Sequence, residues 1–214
     1  WTSAPPPPEA VLAQAASNGR RRAVRLLPGK VQADVAYGFA GIARSDVRYH
    51  AFWIMNNVLG QYGLGGRLGD SIRERQGMAY YVYSGLEANV GPGPLIIRAG
   101  VSPDNVERAI ASIDEEVGMM GAEGVSDKEL ADAKQYLIGS IPRMLETNAR
   151  IAAFLQTVEQ FGLGLDYDAR LAGLLEAVTV AEVRDAAASL LAPDRAAIAV
   201  AGPLDSASAE EAGA

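Results

Sequence analysis

Gly65-Gly66-Arg67-Leu68-Gly69-Asp70-Ser71-Ile72-Arg73-Glu74-Arg75-Gln76-Gly77-Met78-Ala79-Tyr80 is the stretch from which the rest of the chain is placed. It reads as an amphipathic helix closed by Gly77 and running straight into a strand that begins near Tyr80. An arginine on the last helical turn and a tyrosine seven residues later, at the strand mouth, can converge on one point in space. Neither side chain reads as a nucleophile or a metal ligand. Together Arg73 and Tyr80 form a donor pair suited to holding a peptide carbonyl or an oxyanion.

Upstream of that stretch, residues 20–28 suit a strand with Val24 and Leu26 on one face, and Pro28-Gly29 marks a turn. Val31, Ala33, Val35, Tyr37 and Phe39 then alternate with polar or small residues, a period of two. Two strands around a short turn predict a hairpin with one buried face. Asp46 is placed to cap a helix that runs to about Leu59 and stops at Gly60; Gly63-Leu64-Gly65-Gly66 connects it to the next helix.

Downstream, residues 80–88 and 95–101 are strands separated by a turn-rich segment. Ser102-Pro103 predicts a helix start, with a capping hydroxyl and proline at the first position. Val106, Ile110, Ile113, Val117 and Met120 give that helix one apolar stripe. Ser126 with Glu129 forms a capping box for the next helix, striped by Leu130, Leu137 and Ile141 and kinked or ended by Pro142. Ile151, Phe154, Leu155 and Val158 stripe another helix. Thr179 with Glu182 opens a last one, and Ala196, Ile198 and Val200 form a closing strand that returns to the sheet. Hairpins dominate over β-α-β alternation, so the expected class is α+β: a mixed or antiparallel sheet covered by helices in two layers. Residues 1–19, rich in proline, read as a linker, 20–203 as the folded domain and 204–214 as a disordered tail. A chain that opens inside a linker is expected to be one half of something longer.

Bulk composition removes several function classes. The 214 residues include no cysteine, so disulfides and thiolate chemistry are out, and the redox compartment stays open. A formal charge of −7 argues against nucleic acid as a partner. The basic run Arg20-Arg21-Arg22 with Arg25 reads as the polar start of a strand. No apolar run approaches the ~18 residues a membrane helix needs, so no membrane insertion is expected. Whether the chain is cytoplasmic or periplasmic is open.

His50 is the one histidine, too few donors for a zinc site and unaccompanied by any Gly-x-Ser-x-Gly elbow. It reads as an ordinary hydrogen-bonding residue near a helix start. The glycines at 63, 65 and 66 follow a helix and no Gly-Lys-Ser/Thr comes after them, so they do not form a phosphate loop. Tyr80, Tyr81 and Tyr83 suit either a stacking platform or ordinary strand packing.

A family resemblance gives these residues a context. Asn56-Asn57-Val58-Leu59-Gly60, Gly66-Arg67-Leu68, and Ile72-Arg73-Glu74-Arg75-Gln76-Gly77-Met78-Ala79-Tyr80-Tyr81-Val82-Tyr83-Ser84 resemble the pitrilysin/insulinase-type zinc metallopeptidases, in their processing-peptidase-like bacterial branch. Gly124-Val125-Ser126, Glu129-Leu130, Lys134, Leu145-Glu146 and residues 198–203 extend the match over 20–203. Members of that family fold as two related halves closing like a clamshell. One half carries an inverted His-x-x-Glu-His zinc motif; the other is zinc-free and contributes an arginine–tyrosine pair. With a single histidine, this chain resembles the zinc-free C-terminal half, and the resemblance carries the pair's role onto Arg73 and Tyr80. It implies no cofactor in this chain, with zinc in a partner half of the same polypeptide or in a separate subunit, and a peptide as substrate. Gly66 stands where the family pattern usually has serine. Two other readings stay open: a non-catalytic structural core subunit, and a peptide-binding module that adds a strand along a sheet edge in the 31–41 region.

Overall fold

Five segments of alternating apolar and small or polar residues become strands: β1 (Arg21–Leu26), β2 (Ala33–Ala40), β3 (Ala79–Leu86), β4 (Pro94–Val101) and β5 (Ala197–Gly202). The structure is a computed structural model and describes residues 19–61 and 65–204. The strands form one mixed sheet in the order β1-β5-β2-β4-β3, with β1 parallel to β5 and the other neighbours antiparallel. Ala33, Val35, Tyr37 and Phe39 of β2 are all buried, as the period of two requires, while Val31 falls outside the strand and is exposed.

The expected β1–β2 hairpin does not form. The closing strand β5 does return to the sheet, and it enters between β1 and β2, with Val24 opposite Val200 and Val200 opposite Val35. The segment 27–32 therefore bridges two inter-strand spacings, about 10 Å, which a two-residue turn cannot do. Gly29, at φ 80, still makes the predicted turn. A second expectation falls with the first. β2 is bonded to β4 on one side and β5 on the other, so the 31–41 region offers no edge to a peptide; among the described residues the free edges are β1 and β3.

Among the described residues, seven helices, besides shorter helical turns, complete the fold: α1 (Tyr49–Asn56), α2 (Gly69–Arg75, wound in the wide π form), α3 (Val106–Glu123), α4 (Asp127–Met144), α5 (Asn148–Gln160), α6 (Tyr167–Ala177) and α7 (Val180–Leu190). The full predicted stripe of α3 is buried, and truncating a fully buried member such as Ile113 to alanine costs about 2–5 kcal/mol. Both predicted capping boxes form, Ser126 with Glu129 on α4 and Thr179 with Glu182 on α7. Pro142 sits in the last turn of α4, which ends two residues later at Met144. Arg20 and Arg22 are drawn into ion pairs with Asp114 and Glu107 on α3, so that part of the basic run is neutralised internally.

Three local expectations are corrected. Asp46 is not the N-cap of α1: its carboxylate takes the Arg48 backbone N–H at 2.8 Å, a turn just ahead of the helix. Helix α1 runs on from Asn57 in the wide π form and breaks, as expected, at Gly60, whose φ of 171 leaves the helical range; a Cβ there would lie 2.9 Å from Leu68 Cδ1. The Ser102 hydroxyl makes no capping bond; Pro103 opens a single tight turn before α3. On α5, Val158 is buried and Phe154 packs in part, but Ile151 and Leu155 are exposed. Apart from Gly19 and from Leu204, which is half-buried against the core, the predicted linker 1–19 and tail 204–214 lie outside the described residues, as does Gly63-Leu64. No helix among the described residues is long and apolar enough to cross a membrane.

Candidate functional site

Helix α2 is anchored through its buried face, Gly69, Ser71 and Ile72, which leaves Arg73 half-exposed on the next position. The chain then reverses. The carbonyl of Arg73 accepts from the Gly77 backbone N–H at 3.0 Å, and that of Ile72 from the Met78 N–H at 3.1 Å. Gly77 has φ 61, the left-handed region where a side chain costs about 1 kcal/mol or more. On its open face the helix is tied to α3: Arg75 reaches Asp70 at 3.0 Å and the buried Glu116 at 3.6 Å, and Gln76 Nε2 donates to the Ser112 hydroxyl at 3.0 Å. Among the described residues, the carboxylate within ion-pair distance of the Arg73 guanidinium is the neighbouring Glu74, at 4.0 Å, so its donors are not committed to a tight fork.

Tyr80 owes its position to a fault in the ladder. In the pairing of β3 with β4, Ala79 faces Val101 and Tyr81 already faces Gly100, so Tyr80 is the extra residue of a β-bulge. Bulges of this kind re-aim a side chain at a sheet edge. Here the result is a phenol 80% exposed on the free edge of the sheet, whose hydroxyl makes no hydrogen bond among the described residues. A shallow cleft of about 400 Å³ lies beside it, lined by Val31, Met78, Tyr80 and Val101 among others. Arg73 and Tyr80 thus lie on either side of the Gly77 reversal, both open to solvent, with no hydrogen bond to each other.

Tyr81, next on the strand, has a partner within the fold. Tyr81 donates to Asp34 at 2.6 Å; burial and that bond push its hydroxyl up to about 12. Tyr81 and Tyr83 lie 5.9 Å apart, centroid to centroid, tilted rather than stacked. The bulge was not anticipated from the sequence, although a signal exists: the buried positions of β3 run Ala79, Val82, Ser84, a step of three before the step of two. Gly66 has φ 126, and a Cβ there would sit 3.0 Å from Gly60 Cα. Glycine in place of the usual serine thus fits a backbone that a side chain would strain.

His50 Nε2 lies 3.2 Å from the Tyr167 hydroxyl, an ordinary bond as expected, and burial together with Arg44 holds its pKa below the usual value. Among the described residues, no three histidine, cysteine, aspartate or glutamate side chains are grouped to hold a metal. The donors present do not fit zinc.

Residues 1–137 match the model of the peptidase M16 inactive domain. The chain belongs to the peptidase M16 inactive-domain family. The M16 domain is 32% identical over 174 residues to a Streptomyces coelicolor protein named as an uncharacterized zinc protease, covering 81% of this chain and 37% of that one. A Bacillus subtilis protein, also named as an uncharacterized zinc protease, is 31% identical over 122 residues, or 56% of this chain and 30% of that one. The chain therefore spans about a third of the length of these relatives. Among solved structures, the peptidase M16 inactive domain from Pseudomonas fluorescens superposes with a TM-score of 0.78 at 29% identity, covering 86% of this chain and 44% of that one.

Proposed function

We propose that this M16 domain is the zinc-free, substrate-binding half of a zinc-dependent endopeptidase, and that Arg73 and Tyr80 are its catalytic contribution. The observation that supports this most is Tyr80 itself: an exposed phenol on a bulge at the free edge β3, one tight reversal away from a half-exposed arginine. In this reading the Tyr80 hydroxyl donates to the peptide carbonyl as it becomes an oxyanion, and Arg73 orients the peptide or Tyr80. A donor of this kind in a dry site is worth about 2.7–4 kcal/mol, or 10²–10³ in rate. The unpaired edge of β3 lets the peptide run antiparallel or parallel to it through main-chain bonds, with side chains falling alternately into clefts such as that at Val31 and Met78. Zinc and its chemistry belong to a partner half, in the same polypeptide through the stretch 1–19 or as a separate subunit.

Mixing tests the division of labour. A quenched fluorescent peptide library is offered to this domain, to the zinc-bearing half, and to both together. Cleavage only by the mixture is expected. A mixture that associates and holds zinc yet cleaves nothing would overturn the peptidase reading in favour of a structural or peptide-binding role.

A further inference from the structure

A cavity of about 570 Å³ opens among α1, α4, α5 and α6, and it shares no lining residue with the Arg73–Tyr80 edge. Its size is ordinary for a small-molecule site. Trp53, Phe154 and Leu171 supply apolar wall; the charged groups on the wall are Arg44, Arg143 and Arg150, with no aspartate or glutamate among the lining residues.

Arg44 is the unusual member. Its residue is 8% exposed, its guanidinium carbon lies 3.6 Å from the Tyr49 ring centroid, and Nη2 donates to the Tyr167 hydroxyl at 2.7 Å. Among the described residues no carboxylate comes within 4.0 Å of it. Nor is any of its nitrogens among the sealed polar atoms that lack a partner, so its remaining N–H groups face space that solvent reaches. Arg143 lies 5.9 Å over the Tyr136 ring, again with no carboxylate at ion-pair distance. Arg150, on the rim, has Glu146 at 3.4 Å. A buried cation is costly to desolvate, and aromatic faces compensate it only in part. A purely structural staple of α1 to α6 accounts for the stacking of Arg44 on its neighbours. It does not account for the cavity, nor for a second arginine on the same wall with no carboxylate at ion-pair distance.

We propose that this cavity binds a small organic carboxylate with an aromatic or branched apolar body. Arg44 and Arg143 receive the carboxylate, and Trp53, Phe154 and Leu171 receive the body. His50, kept neutral by burial and by Arg44, leaves the arginines as the cations of this region. A free acid and the C-terminal residue of a peptide both meet this chemistry.

Isothermal titration calorimetry of the whole chain tests it with 4-phenylbutyrate against its neutral isostere 4-phenylbutyramide. The acid is expected to bind saturably and the amide at least about tenfold more weakly, the value of a charge-assisted hydrogen bond. Arg143→Gln, at an exposed position, should weaken the acid severalfold and leave the amide unchanged. Ala153→Phe, which adds bulk to the cavity wall without removing a cation, should abolish both. Acetyl-Gly-Phe with a free or an amidated C-terminus identifies the source: preference for the free peptide acid points to peptide ends, and binding of phenylbutyrate alone points to a free acid. Equal affinity for phenylbutyrate and its amide, or no binding of the acid up to its solubility, overturns the proposal.

Discussion

Arg67 grips Glu129 with both arms of its guanidinium, Nε to Oε1 at 2.7 Å and Nη2 to Oε2 at 2.9 Å. The same carboxylate takes the Ser126 backbone N–H at 2.8 Å, so one side chain closes the capping box of α4 and fixes the approach to α2. The helix that carries Arg73 is thereby referenced to the body of the domain.

Glu129→Ala should therefore cost more than an exposed ion pair, because it removes a cap and leaves the half-buried Arg67 without its fork. The expected loss is about 2–4 kcal/mol, read as a lower urea midpoint at unchanged slope. A loss under about 0.5 kcal/mol would make the pair a surface ornament.

Acid should weaken the same contact. The Arg67 guanidinium, and then the Ser126 cap, hold the Glu129 carboxyl down from 4.5 to about 2. A carboxyl depressed in the folded state stabilises fully above its unfolded value and loses that contribution as pH falls from 4.5 toward 2. Allowing for solvent screening, unfolding free energy should drop by about 1–2 kcal/mol across that window. Glu129→Gln should be less stable at neutral pH and show a flatter acid limb. An unchanged acid limb would remove Glu129 as its cause.

Gly77 is needed for its backbone angle and not for space, since a Cβ there meets nothing within 4 Å. Gly77→Ala should cost about 1–2 kcal/mol and Gly77→Asn less, because asparagine tolerates the left-handed region. Thermal unfolding of the two variants separates this from a steric account, in which the larger asparagine would be worse.

Arg73→Lys should impair peptide cleavage by the two-half assembly nearly as much as Arg73→Ala. A planar fork and a point charge present different donors to a peptide. Full activity in the lysine variant, with loss in the alanine variant, would reduce Arg73 to a charge.

What was legible in the sequence was what is encoded locally. The two capping boxes, the stripe of α3 and the alternation of β2 each depend on residues within a few positions of one another, and each formed. The insertion of β5 between β1 and β2 is a pairing across most of the chain; a strand with Val24 and Leu26 on one face suits β2 as neighbour as well as β5. Placing Arg73 and Tyr80 on the two sides of Gly77 needed only the helix–strand junction. That Tyr80 stands on a bulge at a free edge needed the sheet order, which no local pattern holds. The cavity at Arg44 escaped for the same reason, since Arg44, Trp53, Arg143 and Tyr167 come from four separate segments.

The most direct test of the central claim is the steady-state kinetics of Tyr80→Phe in the complete, zinc-bearing assembly. Removal of one oxygen atom from an exposed side chain leaves the fold alone. The account predicts a fall in kcat of about 10²–10³ with KM little changed, because the donor acts on the developing oxyanion. A kcat within about twofold of the unsubstituted protein would contradict it.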